Sequence, residues 1–471
     1  MNQICPGHSE FIKGGERVPR IEITRIRRLG AIFFAILLVF ACSSPVSRSI
    51  YGLQPRQHVL VGDSLDLSLN IPPSLLKTLI IQADRPNALK VVRPGVAPIV
   101  QSTGEFNVSI KLFGIIPLRH VTVTAVPEIK VIPGGQSIGV MLNSSGVMVV
   151  GEAPVFEESG RESNPARRAG IMPGDLITQI NGRSVSSEAQ VRETIEELGR
   201  NHKEVVLTVK RNHRTFRTKL KPLYCQETGR YRIGIMIRDG AAGVGTLTFY
   251  EPESGCYGAL GHMITDSQTM RPIELADGKI VLADIQGIRP GRRGQPGEKL
   301  GSFADDQMLS GNINNNSSCG IFGVLDEPLQ NPLFGRPIPV ALLNQTRVGP
   351  AKMLTVIDGQ RVEAFDLIIE KIRPESVHDG KGLVICIVDQ RLLEKSGGII
   401  QGMSGSPIIQ NGFLIGAVTH VFVNNPARGY GVPVEWMLRE CGLLNTSIVH
   451  EQASNIGQST PKQHYLCRIV V

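Results

Sequence analysis

Residues 165–182, PARRAGIMPGDLITQING, constrain the fold of this chain more than any other stretch of its sequence. Gly170 and Gly174 permit tight turns, because glycine adopts positive φ without a steric penalty. A short apolar run follows them and ends at Asn181-Gly182, the dipeptide that most strongly favours a two-residue hairpin turn. The stretch therefore predicts a compact unit of turns, one strand and a hairpin.

A helix and two strands are predicted directly after this unit. Ser187 and Gln190 form a capping box at the start of the helix, and Gly199 ends it. Three apolar residues at helical spacing share one face: Val191, Ile195 and Leu198. Residues 203–211 and 215–221 then alternate as two strands around a turn.

This order of motifs resembles a PDZ domain, and we assign residues 127–222 to it. The resemblance implies a loop before the first strand whose backbone N–H groups hold the carboxylate of a peptide, which then adds a strand to the sheet edge. The residues expected to bind that peptide are Ser137, Ile138, Gly139 and Val140.

The region 225–450 reads as a succession of short strands and turns, which predicts an antiparallel β-barrel. Within it, GMSGSP resembles the nucleophile loop of chymotrypsin-fold peptidases, in which glycines let backbone N–H groups point at the developing oxyanion. The resemblance makes Ser404 the nucleophile, with the N–H groups of Gly402 and Ser404 as the oxyanion hole. Ser406 is the rival nucleophile, but it lies too late in the pattern and Pro407 follows it.

A serine nucleophile needs a general base within hydrogen-bond reach. The region offers four histidines: His262, His378, His420 and His450. His262 ends a strand in GALGHMITD, a position that suits a residue presented at a barrel rim, and we prefer it. His420 lies within the strand after Ser404, which favours a packed or surface role.

The acid that orients the base is less well defined by the sequence. Asp389 closes the apolar run GLVICIVD, and a buried carboxylate is costly unless it is paired, which favours a functional partner. The other candidates are Asp266, Asp284, Asp358 and Asp366.

The N-terminus carries a targeting signal. A basic leader, residues 1–28, ends in RIRR and is followed by the apolar segment 29–42, which places the start of the chain in the cytoplasm and the rest outside. The segment has 14 residues, whereas a span usually needs about 17–25, so a membrane anchor and a signal-peptide core both remain open. A β-rich region is expected at 51–126, and no function is assigned to the tail, 451–471.

Composition excludes other classes. The net charge is +8, but the basic residues are scattered, so no nucleic-acid partner is expected. The eight cysteines form no CxxC pair, and neither a metal nor a cofactor is predicted.

The assembled segments, including GGIIQGMSGSPIIQNG and GAVTHVFVNNPARGYGVPVEWML, resemble the PDZ-containing signalling serine peptidases of endospore-forming bacteria. The resemblance implies a triad of His262, Asp389 and Ser404. It also implies secretion from the forespore into the space between the two spore membranes, self-cleavage that releases the protein from its anchor, and cleavage of a regulatory subunit of a membrane-embedded protease complex. That cleavage would permit processing of a late mother-cell sigma factor precursor.

The predicted architecture is mainly β, with an N-terminal anchor, a β-rich region, a PDZ domain and a chymotrypsin-like peptidase barrel. Met403 replaces the aspartate common before the nucleophile in digestive-type enzymes, which excludes activation by a new N-terminus paired with it. Two alternatives remain: a general extracytoplasmic quality-control peptidase, which usually places its PDZ module after the protease, and a non-catalytic PDZ scaffold.

Overall fold

The computed structural model describes residues 55–65, 78–91, 96–212, 214–303, 309–376 and 379–444. The predicted leader, the segment 29–42, the tail, His378 and His450 lie outside these residues. The described residues are mainly β, as predicted, and none of their helices is long and apolar enough to cross a membrane. The chain divides into two compact units, Met1–Ala125 and Val126–Val471.

The first unit is a four-stranded sheet in the order β1-β6-β5-β2, with a separate β3-β4 pair. Alternate residues of a strand point to the same face, and here Phe106, Val108 and Ile110 of β5 are buried with Val121 and Val123 of β6. The β-rich region predicted for this part of the chain is thus a sheet with one apolar face. Its strands are β1 (Arg56–Leu60), β2 (Leu79–Ala83), β3 (Leu89–Lys90), β4 (Ile99–Val100), β5 (Gly104–Leu112) and β6 (Ile116–Val126).

The second unit begins with a large sheet to which two long strands contribute. These strands, β8 and β17, pair antiparallel along most of their length. The elements of this part are β7 (Lys130–Pro133), β8 (Ser137–Glu152), β9 (Val155–Phe156), β10 (Glu162–Ser163), α1 (Pro165–Arg168), β11 (Leu176–Ile180), β12 (Arg183–Ser184), α2 (Glu188–Arg200), β13 (Val205–Arg211), β14 (Arg214–Leu220), β15 (Leu223–Cys225), β16 (Arg230–Arg232), β17 (Ile235–Tyr250), β18 (Cys256–Ala259), β19 (Leu275–Arg289), β20 (Glu298–Phe303), β21 (Ser310–Asn312), β22 (Asn315–Ser317), β23 (Gly320–Val324) and β24 (Ile338–Pro339).

The PDZ part of this sheet has the order β14-β13-β11-β8-β17, and α2 packs on it. Ser187 caps α2 by accepting a hydrogen bond from Gln190 N, as the capping box predicts. Asn181 adopts φ of 49° at the predicted hairpin turn. The core also includes Ile233, with Ile235 and Ile237 packed against it. The last strand of the module therefore lies beyond the predicted end at residue 222, because β17 supplies it.

A closed six-stranded barrel follows, in the order β25-β26-β27-β30-β29-β28, which confirms the predicted barrel. Its interior is filled by apolar side chains that include Met353, Phe365 and Ile385. The elements are β25 (Gly349–Val356), β26 (Val362–Ile372), β27 (Leu383–Ile387), α3 (Gln390–Ser396), β28 (Pro407–Gln410), β29 (Phe413–Phe422), β30 (Asn425–Pro433) and α4 (Val434–Glu440).

Candidate active site

The GMSGSP loop joins α3 to the barrel strand β28 and needs both of its flanking glycines. Gly402 and Gly405 adopt φ of 91° and 92°, in the left-handed region that L side chains rarely enter. A Cβ atom on Gly405 would lie 2.0 Å from the carbonyl oxygen of Thr246 and 2.4 Å from Leu260 N. The loop is therefore pressed against the neighbouring sheet, and only glycine fits at position 405.

Backbone N–H groups in this loop fall into two kinds. Those of Met403, Gly405 and Ser406 donate to the carbonyls of Ile400, Val418 and Met403. Those of Gly402 and Ser404 donate to no acceptor in the part of the chain that the structure describes, and both residues line a large cleft. Two free N–H donors with one residue between them are what an oxyanion hole requires.

Ser404 and Ser406 are distinguished by their exposure. Ser404 lines the cleft, and its hydroxyl donates to the carbonyl oxygen of Thr419 at 2.7 Å. Ser406 is fully buried and does not line the cleft. A substrate carbonyl can therefore reach Ser404 and not Ser406.

His262 also lines the cleft, and a sharp turn after β18 presents it there. Leu260 and Gly261 both adopt positive φ, 66° and 71°. The Nδ1 atom of His262 lies 2.9 Å from the carbonyl oxygen of Met263. Because a carbonyl only accepts, Nδ1 carries the proton in this bond and Nε2 keeps a lone pair. Burial lowers the pKa of His262 below its usual value, which keeps the ring neutral at pH 7.

A second imidazole stands beside it. The ring centroids of His262 and His420 are 5.1 Å apart, with the planes tilted by 45°. Desolvation and the neighbouring His262 lower the pKa of His420 to about 4. The predicted packed or surface role for His420 thus understates its position, because the ring is part of the cleft wall. No local sequence pattern distinguishes this position from that of a packed strand residue.

Asp389 does not join this group. It is the N-cap of α3, where its carboxylate accepts from Arg391 N at 3.0 Å and from Asp366 N at 3.2 Å. Hydrogen bonds from the Arg391 side chain, at 3.0 and 3.2 Å, hold the pKa of Asp389 below its usual range. It does not line the cleft, so the predicted triad is incomplete in this structure. The expectation that the Asp389 carboxylate is paired is met, but its partner is Arg391 and not a histidine.

The other acids are placed as follows. Asp266 lines the cleft, but it is bound to Arg238 and to the N–H groups of Gln268 and Thr269. Asp366 pairs with Lys352 on the barrel exterior. Asp284 and Asp358 do not line the cleft either. Asp379, which sequence reasoning did not single out, does line it, and its charge acts on His420.

The cleft has a volume of about 1240 Å³, and apolar, polar and charged side chains all line it. The residues that matter for chemistry all face it: Gly402, Ser404, His262 and His420. Val140 and Leu142 of β8 and Val244 of β17 contribute the apolar surface. This volume exceeds the roughly 300–1,000 Å³ of small-molecule pockets, so the cleft has room for a peptide segment.

The predicted peptide-binding loop is wrong in position. Ser137, Ile138, Gly139 and Val140 belong to β8, whose neighbours on the two sides are β17 and β19. An inner strand has its backbone N–H groups committed to the ladder, so they cannot hold a carboxylate. No local pattern indicates this pairing, because both partner strands come from more than a hundred residues later.

A groove within the PDZ part, here called the PDZ groove, lies between α2 and the first residues of β17. One edge of residues 235–238 pairs with β8, and among the described residues no strand pairs with the other edge. A groove of about 720 Å³ separates this edge from α2, whose Val191, Arg192 and Ile195 line it.

Comparison with known families agrees with this geometry. Residues 229–438 match the model of SpoIVB peptidase S55, and residues 159–211 match that of a PDZ domain. The chain is therefore a serine peptidase that carries a PDZ domain. Across its peptidase region, residues 229–438, it resembles the SpoIVB peptidases.

Solved structures resemble it only distantly, and no curated protein matches it. The active form of the Rv3671c protease from M. tuberculosis is 15% identical, over 47% of this chain and 78% of the other, with a TM-score of 0.24. The HtrA-type protease AlgW with a decapeptide is 13% identical, over 45% and 54%, with a TM-score of 0.24. The PDZ domain of the SdrC-like protein from Listeria monocytogenes is 24% identical, over 20% and 87%, with a TM-score of 0.16.

Proposed function

We propose that this chain is an exported, self-cleaving serine endopeptidase that acts as a sporulation signal between compartments. Its target would be a regulatory subunit of a membrane-embedded protease complex. Cleavage of that subunit would permit processing of a late mother-cell sigma factor precursor. The match to SpoIVB peptidase S55 supports the signalling role. The observation that carries the peptidase chemistry is that Ser404, His262 and two free N–H donors face one cleft.

The proposed reaction begins with a rotation of the Ser404 hydroxyl away from Thr419 O. Ser404 Oγ attacks the scissile carbonyl while its proton passes to Nε2 of His262. The carbonyl oxygen takes the negative charge and is held by the N–H groups of Gly402 and Ser404. The imidazolium then protonates the leaving amine, and water repeats the sequence to release the acyl group.

Met263 supplies what the acid of a triad supplies elsewhere, because its carbonyl fixes the tautomer of His262. A neutral carbonyl stabilises an imidazolium less than a carboxylate does. Slow turnover is acceptable for an enzyme that cuts itself and a few partner molecules, and a narrow signalling peptidase fits this site better than a digestive one.

The PDZ groove is proposed to select the substrates, including the chain itself. A peptide would add a strand to the open edge of residues 235–238 and lie against α2. Residues 29–42 would hold the protein at the forespore membrane until self-cleavage releases it into the intermembrane space.

The test is self-cleavage of the full chain in a sporulating or heterologous host. Ser404→Ala should leave the full-length form intact, whereas Ser406→Ala, a change at a buried neighbour, should still mature. Both variants need equal expression and the same melting temperature within a few degrees. Maturation of Ser404→Ala to the same shorter forms would overturn the catalytic assignment and favour the scaffold alternative.

The quality-control alternative predicts broad specificity. Purified protein should then digest casein at a rate comparable to its self-cleavage. A signalling peptidase should leave casein largely intact over the period in which self-cleavage is complete.

A further inference from the structure

A buried lysine lies directly behind the nucleophile loop, and the reaction above does not use it. Lys299 of β20 is only 4% exposed. Its Nζ donates to Ser137 Oγ at 3.0 Å and to Thr355 Oγ1 at 2.9 Å, and both hydroxyl residues are fully buried. Among the described residues it forms no ion pair with a carboxylate. Burial lowers the pKa of Lys299 to about 7. A desolvated amino group of this kind is costly, so its retention calls for a role.

The stem of Lys299 touches the oxyanion loop. A Cβ atom on Gly402 would lie 3.0 Å from Cδ of Lys299 and 3.1 Å from its Cβ and Cγ. The backbone is tied as well, because Lys299 N donates to the carbonyl of Gln401 at 3.0 Å and Gln401 N donates to Gly297 O at 2.9 Å. The lysine side chain therefore forms the wall behind Gly402, the residue that carries one of the two free N–H groups.

The amino group of Lys299 is also connected to the same loop through Ser137 and Thr246. Ser137, which accepts from Nζ, is the cross-strand partner of Thr246. Thr246 holds the loop by two bonds, from Oγ1 to Gly402 O at 2.7 Å and from N to Ser404 O at 2.9 Å. Thr355, the other acceptor, lies on β25 of the closed barrel. The Nζ atom thus links the sheet that anchors the loop to the barrel that carries it.

We propose that Lys299 is the positioning residue of the oxyanion hole, fixing Gly402 and Ser404 through its stem and through Ser137 and Thr246. Met403, the residue before the nucleophile, is apolar and fully buried and cannot take part in an ion pair. The polar side chain that supports the loop comes instead from the side, from β20. This inference rests on the proposed function and adds a residue to it.

The test uses the full chain and a fluorophosphonate probe. Ser404 Oγ forms a bond to phosphorus, fluoride leaves, the serine proton goes to His262, and the phosphonyl oxygen occupies the oxyanion hole. Lys299→Met keeps an unbranched stem beside Gly402 and removes the amino group. We expect it to label at least about tenfold more slowly, a fraction of the 10²–10³ that loss of an oxyanion donor costs. Its melting temperature should be equal or higher, because the desolvation cost of the buried amino group has been removed.

Opposite changes in rate and stability separate positioning from a merely structural role, which would lower both. Lys352→Met is the matched control, since Lys352 is 59% exposed on the barrel and should label at the wild-type rate. If Lys299→Met fails to fold, Thr355→Val removes one acceptor with little change in shape and should slow labelling by a smaller factor.

The labelling results separate a wrong role for Lys299 from a wrong peptidase assignment. If the wild type does not label, or Ser404→Ala labels equally, the peptidase assignment itself fails. If the wild type labels, Ser404→Ala does not, and both Lys299→Met and Thr355→Val label within twofold of the wild type, only the role of Lys299 is overturned.

Discussion

Two regions that the sequence joins in one predicted triad are separate in the structure. The cleft holds Ser404 and His262, together with His420. The N-terminus of α3 holds Asp389, bound to Arg391 and Asp366. Only fifteen residues of chain connect Asp389 to Ser404, yet the first shapes a helix end and the second faces the substrate.

The difference shows that Asp389 has a structural role at the start of a helix. Asp389 begins the helix that leads through Ser396 and Gly397 into the nucleophile loop. Gly397, with φ of 72°, ends the helix. A residue can thus be important for catalysis by fixing the start of the segment that carries the nucleophile, without touching the base.

The largest expected effect is at the base. His262→Ala should slow fluorophosphonate labelling and self-cleavage by about 10²–10⁴-fold, the usual contribution of general acid–base catalysis. His420→Ala should reduce the rate far less. Its ring stands beside His262, but with a pKa lowered to about 4 it is a weak proton acceptor. Labelling rates of the two purified variants at pH 7.5 would compare the roles directly.

A reversal of this order would break the assignment within the cleft. If His420→Ala were the inactive variant and His262→Ala retained its rate, His420 would be the base. Melting temperatures close to the wild type are the necessary control for both variants.

The next effect concerns the helix end. Asp389→Asn should keep most activity, because asparagine caps helices about as well as aspartate. Asp389→Ala should lower the free energy of unfolding by about 0.5–2 kcal/mol, measured by denaturant titration. In an Asp–His–Ser triad, the asparagine variant alone loses about 10⁴-fold in kcat, so the Asp389→Asn rate decides between the two roles.

A loss of that size in Asp389→Asn, with an unchanged melting temperature, would restore Asp389 as the triad acid. It would then mean that α3 shifts when substrate binds. Asp379→Asn is the companion variant, since Asp379 already lines the cleft.

The contrast also marks what the sequence can predict. The nucleophile loop was predictable because its geometry is local, with glycines at 402 and 405 that positive φ requires. The capping box at Ser187 and the turn at Asn181 were predictable for the same reason.

What the sequence could not predict depends on partners distant along the chain. Gly139 and Val140 look like a glycine-containing loop until residues 240–246 and 278–282 pair with both of their edges. Asp389 reads as a buried acid in need of a partner, and no local pattern distinguishes Arg391 from a histidine. Lys299 gives no signal at all, because its burial arises from Ser137 and Thr355, which are 162 and 56 residues away.

The smallest effect is expected from pH, and it sharpens the assignment to the cleft. His262 must be neutral to accept the serine proton, and burial lowers its pKa below the usual value of 6.5. Activity should therefore rise with pH and reach half its maximum below pH 6.5, with little change between pH 7 and 8.5. The profile of kcat/KM reports this pKa in the free enzyme.

If the base were instead paired with Asp389 as a triad, the carboxylate would favour the imidazolium and move the midpoint upwards. A midpoint above pH 7 would therefore count against the arrangement in which Met263 O alone orients the ring.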